Sequence, residues 1–584
     1  MKASTVTLSL VAFVSLTGAG ALVPLLDAQK KASLGASAPA TPPPEVAVPG
    51  VLLGAFRGLV VDYLWLRACR LEDDGKFYEA KDLAEWISNL EPRLEQVWSF
   101  QAHGLAWNLC AATDDRNERW HWIQEGITLL RDRGIRFNPH APELYFTLSR
   151  IYSDKIGGPF DDHHLFLKKQ LAIELVRAFG PLGKDPLGGE PDPDLEGLVQ
   201  APATLDSDAR ALLAELEKAG LDLKATEGGW DQALYQAEAA RKLAREASPE
   251  VVLRLRRHFR AAALAALHLD ARKCLEIERH YGPLDWHGCD AISLYWAVEG
   301  VAAAETLGPA RSGKERRRLE RLAISSVKHA VRRGRLILEP GEKVPGSAPQ
   351  FNVFFAPEPR LVNRVIALYD EAIERAAAAE KAGEVAATDE DDDDDEHHHE
   401  KPREDTSAAN YRMSMESARL DFIPEAIMIL ADYGDEAASK KLYAKLVATR
   451  PTGQTWDEFV SAMLKLQATT EYGDQASTQQ ILLGLWTSAW VALAHGDDER
   501  ARGKIALAIQ VYHERQKLVE RYTRDGDLKA LQRIGGINPA QAKAQGYEDA
   551  LKRIPPALRR RLEDRGIQTR LEEHVPPELL QGGN

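Results

Sequence analysis

The chain has 584 residues, 44% hydrophobic and 28% charged, a globular composition with enough apolar mass for more than one core. Its 74 Lys and Arg against 88 Asp and Glu leave a net charge of -14, which removes the positive field that draws a general binder to nucleic acid or anionic lipid. The four cysteines, Cys69, Cys110, Cys274 and Cys289, are too few and too scattered for a disulfide scaffold or a zinc ribbon.

Residues 3–26 carry no charged side chain. At about 1.5 Å per residue a helix of that length covers the roughly 30 Å hydrocarbon core. Residues 1–30 therefore read as a signal-anchor helix or, through Ala19-Gly20-Ala21, as a cleaved signal peptide. Either puts the protein at the cell envelope; retention of the helix anchors it in the cytoplasmic membrane with the body on the non-cytoplasmic side. Residues 31–50 are rich in Ala, Ser and Pro, including Thr41-Pro42-Pro43-Pro44, and make an extended linker.

Beyond the linker no stretch shows sustained period-two alternation, whereas apolar residues recur at three- and four-residue spacing, so the expected fold is all-α. The expected divisions are an N-terminal helical region at 51–178, a Gly/Pro-rich insertion with helices at 179–249, and a central helical region at 250–387. They continue with an acidic and His-rich disordered loop at 388–406, a C-terminal helical region at 407–534 and a tail at 535–584. The loop's TDEDDDDDEHHHEKPRED run repels itself and has almost nothing to bury.

From Val61 the segment VDYLWLRACRLEDDGKFYEAKDLAEWISNLEP predicts two antiparallel helices. Small Ala68 and Ala80 let the pair approach, Gly75 sits near the turn, Phe77 fills the seam with Ala84 and Ile87, and Pro92 ends the second helix. These positions have the spacing of a tetratricopeptide repeat (TPR). A second register opens at Glu95 with Trp98 and Ala102, and APELYFTLSRIY from Ala141 opens a third. The spacing returns at Ile427, Gly434, Tyr443, Leu446 and Pro451, and again at Ala489, Gly496, Ala501, Ile505 and Ala508.

The chain thus resembles the TPR superfamily over its first folded hundred or so residues and again near 415–515. The segments GAFRGLVVDYLWLRA, FNPHAPELYFTLSRIYSDKIGG and HYGPLDWHGCDAISLYWA also resemble an uncharacterised group of membrane-anchored bacterial TPR-like proteins. What the resemblance implies is a helical-hairpin solenoid in two parts with a less regular middle, and a concave face that holds a peptide or partner helix. The matching groove candidates are Asp62, Trp65, Cys69 and Glu72, with Trp98 on the next first helix. Packing of Trp65 and Cys69 between repeats is the competing reading of the same residues.

No motif demands catalysis, a cofactor or a metal. GPARSGKE from Gly308 imitates a phosphate-binding loop but has Glu315 where the magnesium-binding Ser or Thr belongs. Asp161, Asp162, His163 and His164 fit helix capping or, with ligands from elsewhere, a metal site; His397, His398 and His399 bind an ion loosely at best. His287 and Cys289 are near neighbours with no third group. Six of the twelve tryptophans, Trp65, Trp86, Trp98, Trp107, Trp120 and Trp122, fill gaps between helices or form an exposed ledge.

The expected function is a non-catalytic, membrane-anchored scaffold that binds other proteins or peptides. The alternative is an enzyme or binder of envelope glycans, with carboxylates such as Asp161 beside exposed tryptophans. A third reading makes the basic segments 254–260 and 311–335 a contact for an acidic polymer or for the chain's own acidic loop.

Overall fold

The computed structural model describes residues 57–159, 161–181, 194–223, 229–340, 351–381, 407–433, 435–469, 475–528, 530–531, 538–554, 556–563 and 575. The expected anchor helix and linker, residues 182–193 and 224–228 of the Gly/Pro-rich insertion, the acidic and His-rich loop, Gly434 and parts of the tail lie outside them. Among the described residues no helix is long and apolar enough to cross a membrane.

The described chain is predominantly helical and divides into two compact units. One runs to Ile151 and takes in Glu299–Gly308; the other comprises Tyr152–Val298 and everything from Pro309.

In the first unit, α1 (Arg57–Asp73) and α2 (Phe77–Leu90) are joined by Asp74-Gly75-Lys76. Gly75 adopts a φ of +73° with open space where a Cβ would project, so backbone conformation and not crowding calls for glycine. Ala68, Ala80, Ala84 and Ile87 are all buried, and Ala84 and Ile87 share a core with Val61, Leu90 and Val97. Phe77, half-buried, opens α2. Pro92 follows α2, and its carbonyl accepts hydrogen bonds from Trp98 Nε1 at 2.9 Å and Asn138 Nδ2 at 2.8 Å.

Three further helices follow: α3 (Glu95–His103), α4 (Arg116–Thr128) and α5 (Pro142–Arg150). Each runs on into a π-helical turn, at Gly104–Leu109, Leu129–Gly134 and Ile151–Ile156 respectively. Asp115 caps α4 by accepting the N–H groups of Glu118 and Asn117, both at 2.9 Å, and these bonds hold its carboxyl below the usual range.

In the second unit, α6 (His164–Phe179) and α7 (Leu195–Val199) precede α8 (Ser207–Lys218), α9 (Gly229–Gln236), α10 (Glu238–Glu246) and α11 (Pro249–Ala266). The last four close on a core that contains Trp230, which stacks on Phe259 at 5.4 Å. Next come α12 (Ala271–Tyr281), capped by Asp270, then α13 (Cys289–Glu305) and α14 (Pro309–Arg333).

The all-α expectation holds for the fold as a whole, and one short hairpin interrupts the helices. Strands β1 (Arg335–Pro340) and β2 (Phe351–Ala356) form an antiparallel ladder with Arg335 opposite Ala356 and Pro340 opposite Phe351. Each strand is six residues long, too short to establish a period, and residues 341–350 between them replace the tight turn that signals a hairpin. The branched and aromatic runs LIL and FNVFF beside a Gly/Pro-rich stretch were the available signal.

The remainder of the second unit comprises α15 (Val362–Lys381), α16 (Ala408–Asp432), α17 (Glu436–Thr449), α18 (Trp456–Thr469), α19 (Gln475–Ala494), α20 (Asp498–Asp525), α21 (Pro539–Arg553) and α22 (Pro556–Leu562). α15 and α16 pack antiparallel, with Asp370 paired to Arg419 at 2.8 Å and Glu380 to Arg412 at 3.1 Å. Gly496, at a φ of +85°, turns the chain between α19 and α20. Ile427, Tyr443, Leu446, Ala489, Ala501, Ile505 and Ala508 are all buried.

Asp432 ends α16 beneath α19, where a Cβ on Gly484 would stand 2.8 Å from its own Cβ. Its side chain is 5% exposed, and Oδ1 meets no hydrogen-bond donor among the described residues. Burial pushes this carboxyl up to about 7, against a smaller opposing effect of the Lys504 ammonium.

Candidate aromatic ledge and a buried ionic knot

The groove face expected on α1 is largely a seam. Trp65 packs on Phe100 of α3 with ring centroids 4.9 Å apart, and Glu72 accepts a hydrogen bond from Asn108 Nδ2. Cys69 is half-buried, and of the four α1 candidates Asp62 alone is exposed. Trp98 is fully enclosed, stacked on Phe137 at 6.1 Å with the Arg133 guanidinium 5.3 Å above its ring, so it belongs to the core and not to a groove. The physical reason is the same throughout: the next helix needs an apolar face to pack on, and this one supplies it.

The open aromatic surface of the first unit lies on α2 and α4 instead. Trp86 is 66% exposed and Tyr78, two helical turns earlier on the same face, is 55% exposed. Tyr78 meets the half-buried Trp122 of α4 edge-on at 5.9 Å, and the exposed His121 tilts against that indole at 5.0 Å. Glu79, Asp82, Glu118 and Glu125 are exposed on the same two helices. One of the six early tryptophans is thus strongly solvent-facing, and it stands among carboxylates. An exposed ring in an acidic setting can hold an apolar or aromatic side chain and attract basic neighbours.

In the second unit three segments from distant parts of the sequence meet in a buried knot of charge. The Arg333 guanidinium, at the end of α14, takes both carboxylate oxygens of Asp290 at 3.0 Å. It also donates to the carbonyls of Gly157 and of Ser153, the latter at 3.3 Å. A Cβ on Gly157 would lie 2.5 Å from Ser153 O, 2.7 Å from Arg333 Nη2 and 3.0 Å from Cys289 Sγ, so glycine is what lets the arginine reach this turn. Alongside, Lys155 pairs with Asp161 at 2.8 Å, and Lys168 lies 2.9 Å from His164 Nδ1 and donates to Gly158 O at 3.3 Å.

These pairings decide several expectations. Asp161 accepts the His163 N–H at 2.9 Å and its carbonyl accepts the His164 N–H at 3.0 Å, so it shapes the turn that leads into α6, whose N-cap residue His163 makes no side-chain cap hydrogen bond. Among the described residues no group of three His, Cys, Asp or Glu side chains is arranged to hold a metal ion. His287 turns Nδ1 to Asp285 at 3.0 Å and Nε2 to the Gly180 carbonyl at 2.9 Å, so both ring nitrogens are engaged away from Cys289. Burial, followed by the neighbouring Asp290 carboxylate, pushes the Cys289 thiol up to about 12; it remains protonated and is no nucleophile. The sequence imitation of a phosphate loop opens α14 at Pro309 behind another helix and not behind a strand, and Glu315 stands where the magnesium-binding hydroxyl belongs.

The basic segments are likewise satisfied within the fold. Arg254 pairs with Asp206 at 3.1 Å, Arg256 and Arg260 with Asp231 at 3.4 and 2.8 Å, and Arg257 with Asp194 at 2.6 Å. On α14, Arg316 meets Glu320 at 3.6 Å, Arg318 meets Glu315 at 3.8 Å and Arg332 meets Glu425. Few of these cations are left to greet an external polymer. No protein-family model matches the chain, and no curated protein does.

Proposed function

We propose that the protein is a non-catalytic scaffold of TPR-like helix pairs, anchored at a bacterial cell envelope through its N-terminal segment. Its Tyr78–Trp86–Trp122 ledge grips an apolar or aromatic segment flanked by basic residues. The observation that carries this reading is the two-thirds exposure of Trp86 on a face bearing Glu79 and Asp82. Exposed indoles are costly to leave in water and are the commonest anchors of protein interfaces. The TPR-like arrangement is supported by the short α1–α2 hairpin, its glycine turn and the buried small residues at Ala68, Ala80 and Ala84. The membrane attachment rests on the uncharged residues 3–26.

The glycan-directed reading has less to support it, because Asp161 is taken up by Lys155 and by the turn that leads into α6. Crosslinking in intact cells, followed by recovery of the parent chain and of a Tyr78→Ala/Trp86→Ala variant, tests the ledge. Partners recovered with the parent are expected to be lost or reduced at least tenfold with the variant. An identical set from both chains refutes this assignment.

A further inference from the structure

α1 presents one face that remains open to solvent. Between 59 and 70 its exposed positions are Leu59, Asp62, Tyr63, Leu66, Arg67 and Arg70, and their three- and four-residue steps place them in a single stripe. Leu59, Tyr63 and Leu66 are 63%, 61% and 60% exposed, a run of large apolar side chains that water alone does not favour. Within 59–70 the carboxylate lies in the N-terminal half and the two guanidinium groups in the C-terminal half; Asp73, one turn further on, is exposed as well.

We propose that this face binds the same face of a second copy of the chain, α1 against α1 in antiparallel sense about a two-fold axis. An axis passing between Leu64 and Trp65 maps the exposed set onto itself. Asp62 then stands level with Arg67 of the second copy, Tyr63 with its Leu66, and Leu59 with the aliphatic stem of its Arg70. Because the operation is a two-fold, each pairing occurs twice. A parallel arrangement would set Asp62 against Asp62 and Arg67 against Arg67, so the charges select the antiparallel one. Exposed ion pairs add little affinity, and here they set register and direction while the Leu and Tyr side chains supply the burial. The surface is separate from the Trp86 ledge and does not depend on it.

Sedimentation velocity of the purified full-length chain across a concentration series tests the proposal. The parent is expected to self-associate, and D62R, which sets an arginine against Arg67 at each end of the seam, to weaken association at least about tenfold. The exchange D62R/R67D restores opposite charges in the same register and is expected to recover the parent's association. All the altered side chains are exposed, and circular dichroism checks that the helices persist. A parent chain monomeric at every concentration overturns the proposal, as does a dimer indifferent to D62R or a double variant as weak as the single one. Capture of a different protein by this face on a monomeric chain counts equally against it.

Discussion

Replacing Asp432 by Asn is expected to make the protein more stable at pH 8 than at pH 5 relative to its parent. The carboxyl is held protonated to about 7 by burial, whereas in the open chain an aspartate loses its proton near 3.8. Between those two values the folded chain keeps a proton that the unfolded chain has released. Unfolding then liberates a proton, and stability falls as pH rises until the folded carboxyl itself ionises. The full gap corresponds to about 4 kcal/mol, and the part between pH 5 and 7 to about 3 kcal/mol. Asparagine keeps the shape and removes the titration, so its gain over the parent grows by about 3 kcal/mol from pH 5 to pH 8. Urea midpoints followed by tryptophan fluorescence report the difference at each pH, and comparison at equal pH cancels the other titrating groups. A variant whose advantage is the same at both pH values would show that Asp432 is ionised in the fold and the reasoning wrong.

The ionic knot makes two further predictions. Gly157→Ala forces a methyl group onto the Ser153 carbonyl and the Arg333 guanidinium and is expected to cost about 1–3 kcal/mol in a urea titration; an unchanged midpoint would mean that the turn has room to spare. Cys110, Cys274 and Cys289 are buried and Cys69 is half-buried, so iodoacetamide is expected to label Cys69 first in the native protein and all four after denaturation. Peptide mapping that finds Cys289 modified as quickly as Cys69 would contradict the raised thiol described above.

Much of the local architecture was legible from the residues. The α1–α2 hairpin followed from apolar spacing, Gly75 and the small residues between its helices, because helix formation, turning and close approach depend on neighbours within a few positions. The Trp98 assignment failed because an indole on a helix face carries no mark of whether another helix covers it, and Phe137 and Arg133 cover it here. The short β1–β2 ladder escaped because six residues and a long connection establish neither period nor turn.

From the residues alone came the helical character of the chain and the places where several of its helices begin and turn. Which face of α1 stays open was settled only by packing: residues 65, 69 and 72 and residues 59, 63, 66 and 70 make equally regular stripes along the sequence, and contacts such as Trp65 on Phe100 cover the first. Packing also decided the fate of the charges. Arg333, Asp290 and Gly157 lie far apart along the chain, and a guanidinium in a dry interior takes whatever carboxylate and carbonyls the fold brings to it.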